Sequence, residues 1–294
     1  MNIKDSTEYK GLGVLFEILL RISRPFRVVS KKISRAADRL KFMQYKMIFG
    51  ERDEDIYVVT HPKSGTTLTQ MILYQLTTEG GLDFDHIYDV SPWIRNASFR
   101  RQDPIDLPSP RIIKSHDNYE EFDKKTKGRF IFVYRDGMDV SVSLYHQNKN
   151  YNNKDLKFDK FVDSFIKSKS WFKYSKSWLK NKNKFPILYI RYEDLIEKKE
   201  NEIQRIIEFC NIKSSEDQIQ RALHLSSFET MKMHEDKFGN QPKEKHQVFN
   251  QFIREGKSGE GKVALSDNQQ NLYKKHHKKI LEPIESTVFG NCTR

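Results

Sequence analysis

His61-Pro62-Lys63-Ser64-Gly65-Thr66-Thr67-Leu68 lies between an apolar run, Ile56-Tyr57-Val58-Val59-Thr60, and a helix-like run from Thr69 to Thr78. Strand, small-residue turn and helix start together form an anion cradle. Backbone N–H groups of the turn and of the helix N-terminus point outward, and the helix dipole adds positive potential. Gly65 permits close backbone approach, Ser64, Thr66 and Thr67 add hydroxyl donors, and Lys63 adds a point charge. The common nucleoside-triphosphatase loop reads G-x-x-x-x-G-K-[ST], with Lys after the second Gly and a hydroxyl for magnesium. Here Lys63 precedes the turn's only Gly by two residues, so the pattern suits a different leaving group and does not require magnesium.

Outward from the turn, four short apolar runs read as strands: Ile56–Thr60, Arg111–Lys114, Phe130–Tyr134 and Ile187–Arg191. Nearly continuous apolar runs fit a parallel sheet covered on both faces. Helices are expected over 66–78, 137–147, 158–181, 194–210 and 216–224. This alternation predicts an α/β fold: a three-layer, doubly wound parallel sheet with helices on both faces and ligands at the strand C-terminal ends. Residues 51–294 are expected to form that domain, behind an N-terminal helical extension over 1–50 that is apolar, then basic. The apolar part, 11–22, is too short to span a bilayer, which takes about 20 residues. Two readings of the extension stay open. It packs on its own protein or on a second subunit, or it lies in a membrane interface as a peripheral contact.

The 294 residues carry a net charge of +12, which favours anionic partners. No nucleic-acid motif accompanies the scattered lysines, so nucleic acid is not an expected partner. Cys210 and Cys292 make neither a disulfide framework nor a zinc spacing, and no signal-peptide pattern is evident. A cytoplasmic location is therefore expected. His276 and His277 sit in a Lys-rich run and read as solvated rather than as metal ligands.

Further segments carry chemistry. In Arg129–Ser143 a buried strand ends at Arg135, Asp136 can cap the next helix, and Ser143 lies about two turns in. Arg135 and Ser143 together would hold a second phosphate; the plainer reading pairs Arg135 with Asp136 or Asp139. In Arg111–His116 the i, i+2 spacing turns Lys114 and His116 to one face, and His is the natural general base near neutral pH. A solvated strand-end His is the alternative. Tyr189–Leu195, Ser226–Met231 and Phe252–Lys262 are weaker signals taken singly.

Taken in order, these segments resemble the cytosolic sulfotransferases. Pro62–Thr67 matches the family's P-K-S-G-T-T-W loop for the 5′-phosphosulfate, with Leu68 replacing the Trp that stacks on adenine. Lys114-Ser115-His116 is similar to K-T-H, and Arg135 with Ser143 to the 3′-phosphate pair. Tyr192 matches the Tyr of Y-E-D, Ser226–Met231 resembles T-S-F-x-x-M, and Phe252–Lys262 looks like the R-K-G-x-x-G-D-W-K loop. The resemblance implies a donor, 3′-phosphoadenosine 5′-phosphosulfate (PAPS), a product, adenosine 3′,5′-bisphosphate (PAP), and no metal. It implies His116 as general base, Lys63 at the bridging oxygen and Lys114 at the sulfonate oxygens. It places Lys63, Ser64, Gly65, Thr66, Thr67, Leu68, Arg135, Ser143, Tyr192, Ser226, Phe228, Met231, Phe252, Ile253, Arg254, Glu255 and Gly256 around the nucleotide. Glu255 and Gly261 depart from the pattern, as Lys and Trp are usual there. Glu255 is expected either to point away from the phosphate or to be offset by Lys257. The acceptor is expected to be a small, hydrophobic molecule with a hydroxyl or an amine, such as a phenol, a sterol or another alcohol. Segments 81–108 and 234–250 are candidate lids, the first with Phe84, Trp93 and Phe99. The rival readings are a P-loop nucleotide kinase-like enzyme, which needs magnesium, and a non-catalytic anion or nucleotide binder.

Overall fold

The computed structural model describes residues 7–23, 27–122, 124–239 and 252–290. Helices α1 (Thr7–Ser23) and α2 (Arg27–Phe49) come first, followed by β1 (Ile56–Thr60), α3 (Thr66–Thr77), α4 (Ile87–Val90) and α5 (Ile94–Phe99). Then come β2 (Ile112–Ser115), β3 (Arg129–Tyr134), α6 (Gly137–Tyr151), α7 (Phe158–Ser168), α8 (Ser170–Lys180) and β4 (Ile187–Arg191). The remainder is helical: α9 (Tyr192–Glu197), α10 (Lys199–Cys210), α11 (Glu216–Leu225), α12 (Phe228–Met233), α13 (Glu260–Ala264), α14 (Asp267–Ile280) and α15 (Glu282–Phe289).

The four strands form one parallel sheet in the order β2-β1-β3-β4, with Val58 in register between Lys114 and Ile131. Strand alternation sends side chains to opposite faces. Tyr57, Val59, Phe130 and Phe132 meet Phe42, Tyr45 and Phe49 of α2, together with Trp171 and Trp178 of α8. Ile56, Val58, Ile131 and Val133 meet Met71, Ile72 and Leu73 of α3, together with Ile203 and Ile206 of α10. Both faces are covered, which is why the strands read as continuous apolar runs and why the layers number three. From β1 the chain winds outward to β2, and from β3 the other way to β4. The reversal opens a crevice at the C-terminal ends of β1 and β3, the place such folds offer to ligands.

Two expected helices are each divided in the structure. The run 158–181 breaks between α7 and α8 at Lys169, whose φ is 55°. Ile166 and Trp171 are both buried, but five residues apart they would lie on different sides of one continuous helix. The run 194–210 starts earlier, at Tyr192, and breaks at Lys198.

Arg111 ties α2 to the sheet. Its Nε and Nη2 donate to Asp55 at 2.8 and 2.7 Å, its Nη1 donates to the Phe49 carbonyl at 2.8 Å, and it lies 3.8 Å from the Phe49 ring centroid. Both charges are fully buried. Removing one member of such a pair leaves the other desolvated and alone. Arg111→Leu should therefore cost about 3–5 kcal/mol in urea unfolding, and the Arg111→Leu/Asp55→Leu double variant should cost clearly less than the single one.

Candidate active site

The segments that follow β1, β2 and β3 open onto one cleft of about 710 Å³. Every site residue expected from the sequence lines it except Ser64, which is buried just beneath. The loop after β1 supplies Lys63 to Leu68, the end of β2 supplies Lys114 and His116, and the end of β3 supplies Arg135. Ser143 comes from α6, Tyr192 from α9, and Ser226, Phe228 and Met231 from the turn into α12; Phe252 to Gly256 form another wall.

The anion turn is built from left-handed backbone. Lys63 has φ 69° and Gly65 has φ 96°. A Cβ at Gly65 would also lie 2.7 Å from the Tyr192 ring, so glycine is required there twice over. Tyr192 presents its face to Arg135, whose guanidinium carbon is 4.3 Å from the ring centroid. Arg135 Nη1 donates to the Lys63 carbonyl at 2.9 Å and Nη2 to the Lys257 carbonyl at 3.0 Å. The plainer reading of Arg135 survives only as a long 3.9 Å approach to Asp139. Burial, and then the charges of Arg135, Lys114 and Arg254, lower the Lys63 amine to about 8.

His116 is set by backbone. Its Nδ1 lies 2.8 Å from the Thr60 carbonyl, which can only accept, so Nδ1 carries the proton and Nε2 holds a lone pair. Burial, with the nearby Lys114 charge, holds the imidazole well below its ordinary pKa, so it is neutral at pH 7. Trp93 meets the ring edge-on at 5.1 Å. Lys114 Nζ donates to the Tyr88 hydroxyl at 2.7 Å and lies 4.6 Å from the Trp93 ring centroid. A neutral base, two lysines and an arginine thus share one wall.

Asp139 holds the last segment in place. It is buried and accepts from the Gly259 N–H at 2.8 Å and from the Gly261 N–H at 2.7 Å. Gly261 lies so close to Met138 that a Cβ would come within 2.5 Å of its backbone carbon, so no larger residue fits in this packing. The Glu255 carboxylate pairs with the neighbouring Arg254 at 2.7 Å. Arg254 also bonds Glu260, so two carboxylates engage it. Gly256 has φ 62° and packs against the Phe228 ring.

Sequence reading missed part of the lining. Gln147, Asn148, Tyr151 and Asn152 continue the face of α6 begun by Ser143, and the helical i+4 step from Ser143 is the signal that would have found Gln147 and Tyr151. Of Phe84, Trp93 and Phe99 in the expected lid, only Trp93 reaches the cleft, joined there by Tyr88 of the same segment. Phe84 is buried against Tyr74 and Phe238, and Phe99 is exposed. The second expected lid lies outside the described residues from 240 onward. Three buried polar atoms around the cleft, Ser64 Oγ, Arg135 Nε and Ser226 Oγ, have no hydrogen-bond partner among the described residues. Donors left over beside lysines fit a polar, polyanionic ligand.

A parallel α/β sheet with an anion turn at its switch point, and a neutral His between lysines, defines a group-transfer enzyme of the P-loop type. Residues 53–284 match the sulfotransferase domain family. Amine sulfotransferase of rabbit (Oryctolagus cuniculus) is 28% identical over 250 residues, covering 80% of this chain and 83% of the rabbit protein. Sulfotransferase 2B1 of mouse (Mus musculus) is 32% identical over 243 residues, covering 76% and 71%. The crystal structure of mouse sulfotransferase SULT7A1 complexed with PAP shares the fold, with a TM-score of 0.64 at 22% identity over 86% of this chain and 91% of that one. The chain belongs to the sulfotransferase family.

Asp139→Ala removes the acceptor for two backbone donors that hold Gly259 and Gly261. Hydrogen exchange at those two amides should quicken about tenfold or more, while the amides of β1 and β3 keep their protection. Unchanged protection at Gly259 and Gly261 would show that the segment is held by something else.

Proposed function

We propose that the chain moves the sulfuryl group of PAPS to a hydroxyl or amine of a small acceptor, with His116 as general base. The observation that carries this reading is the state of His116: neutral, with its proton on Nδ1 toward Thr60, beside Lys63 and Lys114 in one cleft. When bound, PAPS supplies an activated sulfuryl group. His116 Nε2 takes the acceptor proton as the acceptor oxygen or nitrogen attacks. Lys63 meets the negative charge that grows on the departing phosphate, and Lys114 meets the oxygens of the group in transfer. Arg135 and Ser143 fix the 3′-phosphate, with Ser226 Oγ and the Phe252–Gly256 segment completing the nucleotide wall. Leu68, Tyr192, Phe228 and Met231 offer an apolar slot for adenine in the absence of a Trp at 68. Two features of the relatives support the reading: SULT7A1 was solved with PAP, and the rabbit relative is an amine sulfotransferase.

The acceptor wall combines Tyr88 and Trp93 with the amides of Gln147, Asn148 and Asn152. That mixture suits an amphiphilic acceptor, with a flat or apolar body and polar substituents, better than a purely hydrocarbon one. We take residues 51–294 as the transferase domain. The kinase-like rival predicts transfer from ATP that requires magnesium, so a donor comparison separates the two.

His116→Ala should lower turnover by about a hundredfold or more while nucleotide affinity is kept. Normal turnover by that variant would remove His116 from its role. Because the His116 pKa is depressed, the base form persists below its ordinary value, and the acidic limb of kcat/KM should fall below pH 6.5. Lys63 gives the opposite limb. Its free-protein pKa of about 8 must rise when an anion binds. PAP affinity is therefore full below pH 8 and falls as pH rises through it, by up to about tenfold per pH unit. Equilibrium dialysis against pH should show this fall, and Lys63→Met should abolish it.

A further inference from the structure

Helix α1 buries one side and exposes another. Phe16 faces inward, with Lys41 and Arg101 over its ring. Away from it, Val14, Leu15, Ile18 and Ile22 are 61%, 44%, 47% and 51% exposed. At about 100° per residue these four fall within roughly a third of the helix circumference. Gly11 shares that sector, and an added Cβ there would meet nothing within 4 Å. Single exposed aliphatics are ordinary, but four of them aligned along just over two turns mark a surface made for contact.

Exposed residues also stand at the edge of the Phe16 side of α1. Helix α5 packs on α2, and Arg101, just past its end, lies 5.5 Å from the Phe16 ring centroid. There Phe99 is 71% exposed and is followed by exposed Arg100 and Arg101. Helix α5 begins directly after Trp93, which touches His116, and its six residues span about 9 Å. The helical layer therefore adjoins the end of the cleft that holds the base.

We propose that this layer docks on an anionic lipid membrane. Val14, Leu15, Ile18 and Ile22 enter the boundary between headgroups and acyl chains, with Phe99 beside them. Lys10, Arg21, Arg100 and Arg101 meet the lipid phosphates. The charge selects the occupant. Four basic residues stand here against Glu17 and Asp103, on a chain of net charge +12, so a second copy would bring like charge to the same face. Contact is peripheral: among the described residues, no helix is long and apolar enough to cross a membrane. Docking sets the His116 end of the cleft beside lipid, where an amphiphilic alcohol or amine would enter. That last clause rests on the acceptor reading above; the docking itself does not.

Vesicle flotation with the full chain tests the docking without any assay of transfer. The chain should float with vesicles of phosphatidylcholine and phosphatidylserine, less at high salt, and much less with phosphatidylcholine alone. Ile18→Glu/Ile22→Glu should weaken binding about tenfold or more, and Arg100→Gln/Arg101→Gln about fivefold for each charge removed. Ile18 and Ile22 are about half exposed, so the thermal midpoint of that variant should not move. Absence of flotation by the unaltered chain overturns the proposal, whatever the variants do. So does equal flotation with both vesicle types, or flotation indifferent to Ile18→Glu/Ile22→Glu. Sedimentation supplies the last contrary result: a dimer that this variant splits would make the stripe a subunit interface instead.

Discussion

The bond from Arg135 to the Lys63 carbonyl joins the ends of β1 and β3, and the chemistry of the cleft depends on what it holds together. It keeps a guanidinium near an ammonium that burial and three like charges have already lowered to about 8. Such a cluster costs stability in the free protein, because like charges repel and desolvation favours the neutral amine. The fold bears that cost through rigid parts around it. Tyr192 supports the guanidinium, Gly65 leaves room for Tyr192, and Asp136 caps α6 by accepting from Met138 and Asp139. An anion that enters relieves the repulsion, so ligand binding and relief of strain coincide at one place.

The same logic explains the segment that closes the cleft. Asp139 anchors Gly259 and Gly261, and Arg135 reaches the Lys257 carbonyl, so the anion turn and the closing segment share a partner. Arg254 is different, since Glu255 and Glu260 both engage it. On the proposed reading, a phosphate at Arg254 would compete with these carboxylates, and the departure from the family pattern at 255 would act as a brake on affinity rather than as a lost contact. His116 is insulated from such competition. Its orientation comes from a main-chain carbonyl of β1, which does not titrate.

The sheet was legible in the sequence because its strands are buried on both faces and so read as unbroken apolar runs. Most segments of the candidate site end a strand or start a helix, whereas Ser143 lies inside α6 and Phe252–Gly256 lie in a loop. Eighteen of the nineteen residues named from sequence line one cleft, Ser64 being the one turned inward. Features that depend on tertiary partners were not legible. Phe84 and Phe99 look alike in sequence, yet one packs on Tyr74 and Phe238 and the other faces solvent. Asp139 looks like part of a cap, and only the fold brings Gly259 and Gly261 to it. The break at Lys169 left a readable trace, the five-residue step from Ile166 to Trp171, which a continuous helix does not accommodate. The extension was read as a separate helical piece, and its two helices divide the work: α2 fills the core with Phe42, Tyr45 and Phe49, while α1 keeps an apolar side outward.

The central claim is that two phosphate sites, one around Lys63 and one around Arg135, face the same nucleotide. Calorimetric titration with PAP, in the absence of magnesium and with 5′-AMP as the comparison, measures it most directly. The account predicts tight binding of PAP, with 5′-AMP weaker by about a hundredfold or more, as expected when a buried charge-assisted contact is lost. Equal binding of the two nucleotides, or binding only with magnesium present, would contradict it.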